Sequence, residues 1–271
     1  MLSKRVTSAL IMVPLFAALA YLGGPLWGLF VLAFMLQAGY EYGRLLKGMG
    51  YAVSWALLLG AIGLFIAQAY FFSNQGTSGA VVLVLTILAN ALLALLSYER
   101  GAAQAFLVFC LQLAGTVYLG YLGAYFIHLR KLPNGQWWLL AAMILVWLTD
   151  VGAYFAGTRW GRHKILPRLS PQKSWEGYAG SVIIGLIGGL LLGWASGALA
   201  LPIALWQTLI LGLLIGALTP FGDFFVSMIK RVAGVKDTGK LIPGHGGVLD
   251  RIDSWIWAVV IAYYFVLVIS L

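Results

Sequence analysis

Charge is what this sequence has least of. Eight acidic and 17 basic side chains make up 9% of its 271 residues, where a water-soluble globular chain carries roughly 25%. Apolar residues reach 62% and mean hydropathy is +0.95, which excludes a large soluble domain. Cysteine occurs once, as Cys110 inside an apolar run, so a disulfide framework and a cysteine zinc site are both excluded. His128 and His163 are single residues with no partner at metal-ligand spacing. The alternating pattern of a membrane barrel is missing. So is a basic stripe on a soluble domain. The formal charge of +9 comes from residues at the ends of apolar runs, which membrane orientation and anionic lipid headgroups explain without nucleic acid.

What the chain has in quantity is apolar runs long enough to span lipid. A span needs about 20 apolar residues to cross about 30 Å of hydrocarbon, and its backbone groups must be satisfied internally, so the runs are predicted to be helices. They fall at roughly 6–22, 26–46, 52–72, 80–97, 104–128, 137–157, 177–199, 204–231 and 254–271, with Gly, Pro, Asn or Ser in connections such as Gly23-Gly24-Pro25 and Pro133-Asn134-Gly135. The expected fold is all-α: a polytopic integral membrane helix bundle of about nine transmembrane helices. Residues 1–130 supply about five of them, and 131–271 form a C-terminal catalytic region with charged loops at 158–176 and 230–253. With the N-terminus in the cytoplasm, all of the 17 lysines and arginines except Arg130 and Lys131 lie on the inner side, a strong positive-inside bias. Both charged loops then face the cytoplasm, which makes the expected location a multi-pass cell-membrane protein with an inward-facing site. Lys4-Arg5, an apolar run and Ala18-Leu19-Ala20 also fit a cleavable signal peptide. Gly23-Gly24-Pro25 leading directly into another span favours a retained helix.

In the seventh run Gly177, Ser181, Gly185, Gly189, Gly193 and Gly197 recur every four residues. Small residues at that spacing let helix backbones approach in lipid. Packing within the bundle is the expected use, and a homodimer through this face is the alternative.

The few charges are concentrated in one stretch, Ser227 to Asp253. It holds Lys230, Arg231, Lys236, Lys240 and Arg251 with Asp237, Asp250, Asp253 and His245, broken by Gly239, Pro243, Gly244, Gly246 and Gly247. These residue types suit phosphates and a divalent cation. Upstream, Thr219, Asp223 and Ser227 share one helical face with Lys230 and Arg231, and Pro220 should bend that helix. An intramembrane Asp is costly and points to function by default; an internal pair with Lys230 is the structural alternative for Asp223. If the last helix begins near Leu249, Asp250 and Asp253 share a face at its positive end. They read as ligands of Mg²⁺, which prefers carboxylates plus substrate phosphates, or simply as helix caps.

Asp150 ends an apolar run and is a further ligand, a sugar contact or a partner for Arg159 or Arg162. Ser170-Pro-Gln-Lys-Ser-Trp-Glu-Gly177 opens the seventh helix: Ser174 or Ser170 with Glu176-Gly177 offers helix-start chemistry. Backbone amides at such a start suit phosphate, with Ser170 and Ser174 beside them as candidate contacts, and Lys173 adds a point charge. Trp175 is a base-stacking surface or, more commonly, an interfacial anchor. Two near-matches fail. Gly234 to Leu241 lacks the Ser/Thr and the preceding strand of a Walker loop, and His245-Gly246-Gly247 has no accompanying nucleophile elbow.

Ser227 to Asp253 resembles the signature of the phosphatidate cytidylyltransferases (CDP-diacylglycerol synthases) at Ser227, Lys230-Arg231, Lys236-Asp237, Pro243, His245-Gly246-Gly247, Asp250-Arg251 and Asp253. Ser170 to Gly177 resembles a second element of that family, with Gln172 in place of a basic residue, and Asp150 to Gly157 a third. Residues 1–130 resemble it only in hydropathy. The resemblance implies transfer of a cytidylyl group from CTP to phosphatidic acid, giving CDP-diacylglycerol and pyrophosphate, with Mg²⁺ or another divalent cation. On that basis Asp223, Asp250 and Asp253, with Asp150, are expected to hold metal. Lys230, Arg231, Lys236, Lys240, Arg251 and Lys173 would hold phosphates. Gly244, Gly246 and Gly247 would let the backbone approach nucleotide, and His245 would donate to a phosphate or leaving group. A cytidylyltransferase for another lipid phosphate, or an anion transporter coupled through Asp150 and Asp223, are the competing readings. Transporters usually bind at the midplane between repeated halves, and this chain gathers its charge near one face.

Overall fold

A computed structural model of the chain describes residues 2–72, 75–199, 201, 203–241 and 246–270, with side chains from residue 12 onward apart from those of 75–77. Helices cover the predicted runs: α1 (Leu2–Leu22), α2 (Gly24–Gly48), α3 (Trp55–Phe71), α4 (Gln75–Glu99), α5 (Ala105–Thr116), α6 (Tyr125–Lys131), α7 (Gly135–Trp160), α8 (Trp175–Ala195), α9 (Leu205–Leu218), α10 (Pro220–Val232) and α11 (Leu249–Ile269). Among the described residues there is no strand, and an isolated bridge pairs Lys164 with Ser174. Six helical stretches are long and apolar enough to cross a membrane: Ser78–Glu99, Ala105–Lys131, Gly135–Trp160, Trp175–Ala195, Leu205–Val232 and Leu249–Ile269. The chain is therefore an all-α, multi-pass membrane protein. Leu85, Leu88 and Leu92 on α4 and Ile183, Ile187 and Leu191 on α8 are exposed on the bare protein, as lipid-facing side chains must be.

Two expected spans are not single helices. The run at 104–128 passes through a π-helical turn, Val117–Tyr121, between α5 and α6. The run at 204–231 is interrupted at Thr219, where Pro220 has no N–H to continue the ladder. The carbonyl left open, Gly216 O, accepts from Ser181 Oγ at 2.8 Å, and Thr219 adds its hydroxyl to Ile215 O at 2.8 Å. The interruption places Asp223 in the first turn of α10, where the helix dipole favours a negative charge. The predicted turn at Pro133-Asn134-Gly135 is present, with Asn134 in the left-handed region at φ 56° as it starts α7.

The chain divides into two compact units. The first comprises Met1–His128 with Val232–Asp250. Its helices are joined by buried polar contacts that an apolar bundle could not leave open: Trp27 Nε1 donates to Phe126 O at 3.2 Å, Tyr42 Oη to Leu111 O at 2.7 Å, and Gln112 Nε2 to Asn90 Oδ1 at 2.8 Å.

The second unit comprises Leu129–Arg231 with Arg251–Leu271. Here α8 packs against α7 on one side and α9 on the other, and the small-residue stripe is the reason it can. Gly180 faces the Gly152 carbonyl of α7; Gly185 faces Gly212 and Gly189 faces Thr208 of α9, each so closely that a Cβ would meet backbone. Ser181 Oγ donates to Gly216 O at 2.8 Å across the same seam. At Ser181, Gly185 and Gly189 the stripe is thus spent inside the chain, on α9.

A larger side chain in that seam must push two backbones apart. Gly185→Leu is expected to lower stability by roughly 1–3 kcal/mol, read as a drop in the thermal midpoint in detergent. Gly197→Leu, where a Cβ meets nothing within 4 Å, should leave it unchanged.

Candidate functional site

In the second unit, three helices each contribute one carboxylate to a common region: Asp150 from α7, Asp223 from α10 and Asp253 from α11. The three are near enough to feel one another's charge, with Lys173 and Arg251 as the neighbouring cations. Asp253 is 8% exposed, Asp223 is half-buried and Asp150 is open to solvent. Ser254 N donates to Asp253 Oδ1 at 2.6 Å, and Ser227 Oγ to Asp223 Oδ1 at 3.1 Å. Lys173 Nζ lies 2.5 Å from Asp223 Oδ2 and 4.1 Å from the centre of the Phe224 ring, so the ion pair of Asp223 runs to the 161–174 loop rather than along its own helix to Lys230. Arg251 Nε is buried without a hydrogen-bond acceptor, which leaves a cationic donor suited to an anion.

The 161–174 loop that delivers Lys173 is itself folded. Ile165 N donates to Lys173 O at 3.2 Å and Trp175 N to His163 O at 2.9 Å, so the loop doubles back on itself. Ser174 is buried as the N-cap of α8, with its hydroxyl accepting from Gly177 N at 3.2 Å; the structure therefore occupies its hydroxyl with helix capping. Ser170 O accepts from Lys173 N at 3.2 Å within the loop. His163 pairs within this region, its Nδ1 2.6 Å from Glu176 Oε1. Trp175 is exposed and packs edge-on to Tyr178. Lys230 and Arg231 occupy the last turn of α10, where Arg231 Nε donates to Leu169 O at 3.2 Å.

In the first unit the glycine-rich loop is sewn down by two carboxylates. Helix α11 does begin at Leu249, so Asp250 lies in its first turn. Asp250 Oδ2 accepts from Thr238 N at 2.8 Å, Thr238 Oγ1 at 3.0 Å and Gly247 N at 3.0 Å. The second carboxylate is Glu41, from α2 and 3% exposed. Its Oε1 accepts from Val248 N, and its Oε2 from Leu249 N and Thr238 Oγ1, each at 2.9 Å. A Cβ on Gly239 would lie 2.7 Å from Glu41 Oε1, and one on Gly246 2.7 Å from Asp250 Oδ2. Gly246 also has φ +85°, a conformation L-residues avoid. Both glycines thus make room for the chain's own carboxylates. Lys236, Asp237 and Lys240 point outward from this loop. Gly244 and His245 lie outside the described residues.

The carboxylates assigned to metal from sequence therefore divide: Asp150, Asp223 and Asp253 belong to one set, and Asp250 to the loop. Among the described residues, no group of three or more His, Cys, Asp and Glu side chains is closed tightly enough to hold an ion; Lys173 is the cation seated on Asp223. Glu41 was missed by sequence reasoning, although the rule that singled out Asp223, an acid inside an apolar run, applies to it equally.

With this geometry in view, comparison with known proteins is decisive for the family. Residues 3–269 match the model of the cytidylyltransferase family. The chain belongs to that family. Its relatives include the phosphatidate cytidylyltransferase of Brucella suis, 32% identical over 97% of this chain and 93% of the relative, and that of Bacillus subtilis, 36% identical over 57% and 56%. That of Staphylococcus saprophyticus is 40% identical over 51% of this chain and 53% of the relative. The matched region thus spans little more than half the length of the latter two relatives.

In this cytidylyltransferase family member the Lys173–Asp223 pair is 29% and 37% exposed on its two sides, so solvent screens it to about 1 kcal/mol or less. A double-mutant cycle on Lys173→Gln and Asp223→Asn should return a coupling of that size from thermal midpoints. A coupling of several kcal/mol would mark the pair as structural.

Proposed function

We propose that the protein transfers a cytidylyl group from CTP to phosphatidic acid. A phosphate oxygen of the lipid bonds to the α-phosphorus of CTP, the bond from that phosphorus to the bridging oxygen breaks, and pyrophosphate leaves with the electron pair. The attacking monoester has a second pKa of about 6, so it is largely ionised at neutral pH and needs no strong base. The obstacle is the meeting of two polyanions and the charge that develops on the leaving group, which positioned cations lower.

The observation that carries this reading is the convergence of Asp150, Asp223 and Asp253 from three helices beside Lys173 and Arg251. The set is not drawn together around one point here, but its chemistry suits a divalent cation: every donor is a carboxylate oxygen, and Asp223 already holds an ammonium. Asp223 and Asp253, with Asp150, would hold Mg²⁺. The bound ion would supply Lewis-acid stabilisation of phosphate oxygens. The chain's own cations do the rest. Arg251 offers its unsatisfied Nε–H, Lys230 and Arg231 close α10 with positive charge, and Lys173 moves from Asp223 to a phosphate when that carboxylate is engaged. In the first unit's loop, Lys236 and Lys240 are exposed and carry charge suited to a phosphate, with His245 as a further donor.

A positive-inside orientation puts the N-terminus and both charged loops in the cytoplasm, where CTP is supplied, and leaves the lipid to arrive laterally from the inner leaflet. Phosphatidic acid, rather than another lipid phosphate, is supported by the names of the relatives. Any homodimer would use a surface other than the Gly185–Gly189 seam, which α9 covers.

Purified protein given labelled CTP and phosphatidic acid should form labelled lipid and pyrophosphate only with Mg²⁺ present. Asp253→Asn should cut turnover at least about 100-fold, the scale of a lost electrostatic contact in a transition state, with the thermal midpoint retained. Turnover near wild type in that variant would remove the metal assignment. Preferential labelling of a polyprenyl phosphate in a competition assay would change the substrate.

Orientation has its own test. On a Cys110→Ser background, Arg168→Cys should react with a membrane-impermeant maleimide in inside-out vesicles, and Lys131→Cys only in right-side-out ones.

A further inference from the structure

Glu41 lies on α2, far in sequence from the Ser227–Asp253 stretch, yet it makes long-range contacts with the charged loop. Its carboxylate takes the first N–H groups of α11, those of Val248 and Leu249, from a helix more than 200 residues earlier in sequence. A helix start has no intrahelical partner for these donors, and a carboxylate answers both their hydrogen-bonding need and the dipole. The usual supplier is a local cap; here it is a buried acid of α2. Gln37 Nε2, one turn earlier on α2, donates to Glu41 Oε1 at 3.2 Å and holds the side chain in place.

The contact also reaches the other end of the loop. Thr238 Oγ1 lies 2.9 Å from Glu41 Oε2 and 3.0 Å from Asp250 Oδ2, while Thr238 N donates to Asp250 at 2.8 Å. Glu41 and Asp250 thus bind both flanks of the 239–246 segment, and glycines 239 and 247 leave their Cβ space to Glu41. Lys236 and Lys240 stand on either side of Thr238. Their placement follows from that of Thr238, and Thr238 is held by these two acids.

We propose that Glu41 is a positioning residue: from α2 it fixes Thr238 and the 247–249 turn, and so presents Lys236 and Lys240 to the phosphates of the nucleotide. The nucleotide part of this inference rests on the function proposed above; the anchoring part does not.

The test compares wild type, Glu41→Gln and Glu99→Gln in detergent. Glu99 is an exposed acid at the end of α4 and serves as control. Hydrogen exchange is read at residues 236–241 and 246–250, and steady-state kinetics are read with CTP and phosphatidic acid varied separately. Glu41→Gln should speed exchange in both segments and raise KM for CTP roughly 10- to 100-fold, the scale of losing a hydrogen bond to a charged group, with KM for phosphatidic acid within about twofold. Glu99→Gln should match wild type in both. Unchanged exchange in Glu41→Gln overturns the anchoring, and faster exchange with wild-type KM and kcat overturns the positioning. Should Glu41→Gln fail to fold, Thr238→Val removes only the shared hydroxyl and is read the same way. A wild-type protein that consumes no CTP overturns the proposed function instead, and exchange then decides the anchoring by itself.

Discussion

A carboxylate removed from bulk water must be given hydrogen-bond donors or a cation, and the organisation of this protein follows from how it meets that demand. The cost of leaving such a group unpaired is several kcal/mol even after relaxation. With only eight acids in the chain, each can be followed. Glu99 and Asp237 are exposed. Glu176 takes His163, and Asp223 takes Lys173 and Ser227. Glu41 and Asp250 take backbone N–H groups and one threonine hydroxyl. Asp150 and Asp253 share the neighbourhood of Asp223. Apart from Glu99 and Asp237, the acids thus either order the glycine-rich loop or gather beside cations.

These two solutions suit two tasks. A carboxylate saturated by backbone donors is a fixed strut: its oxygens are committed, and displacing it would strand several N–H groups at once. A carboxylate paired with one flexible lysine is exchangeable, because an ammonium on a four-carbon stem can be replaced by another cation with little rearrangement. Glu41 belongs to the first kind through both oxygens and Asp250 through Oδ2, while Asp223 belongs to the second. Within the second unit the glycine seam between α7, α8 and α9 serves the same end, since backbones in close contact hold α7 and the start of α8 rigidly enough to place Asp150 and Lys173.

Much of this was legible in advance because membrane insertion writes strong local signals. Apolar run length located the helices, and Pro220 marked the break before Asp223. The four-residue glycine period announced a close helix contact. The signature from Ser227 to Asp253 named the family that the whole-chain match then established. Less legible were the pairings. Ser174 and Ser170 were both candidates for the start of α8, and the structure gives the cap to Ser174. Asp223 had Lys230 about two turns away on the same helix face as an obvious partner, yet takes Lys173 from a loop. Gly246 and Gly247 read as space for a nucleotide, while in the structure their missing side chains are replaced by Asp250 and Glu41.

By itself, then, the sequence determined that this is an all-helical membrane protein, which residues carry its charge, and the family to which it belongs, because hydropathy, proline position and a long contiguous motif are local properties. Only the tertiary structure decided which carboxylate meets which donor. Those choices join segments far apart in the chain: Glu41 with Leu249, and Lys173 with Asp223. They depend on burial and on three-dimensional proximity, which no spacing along the chain encodes.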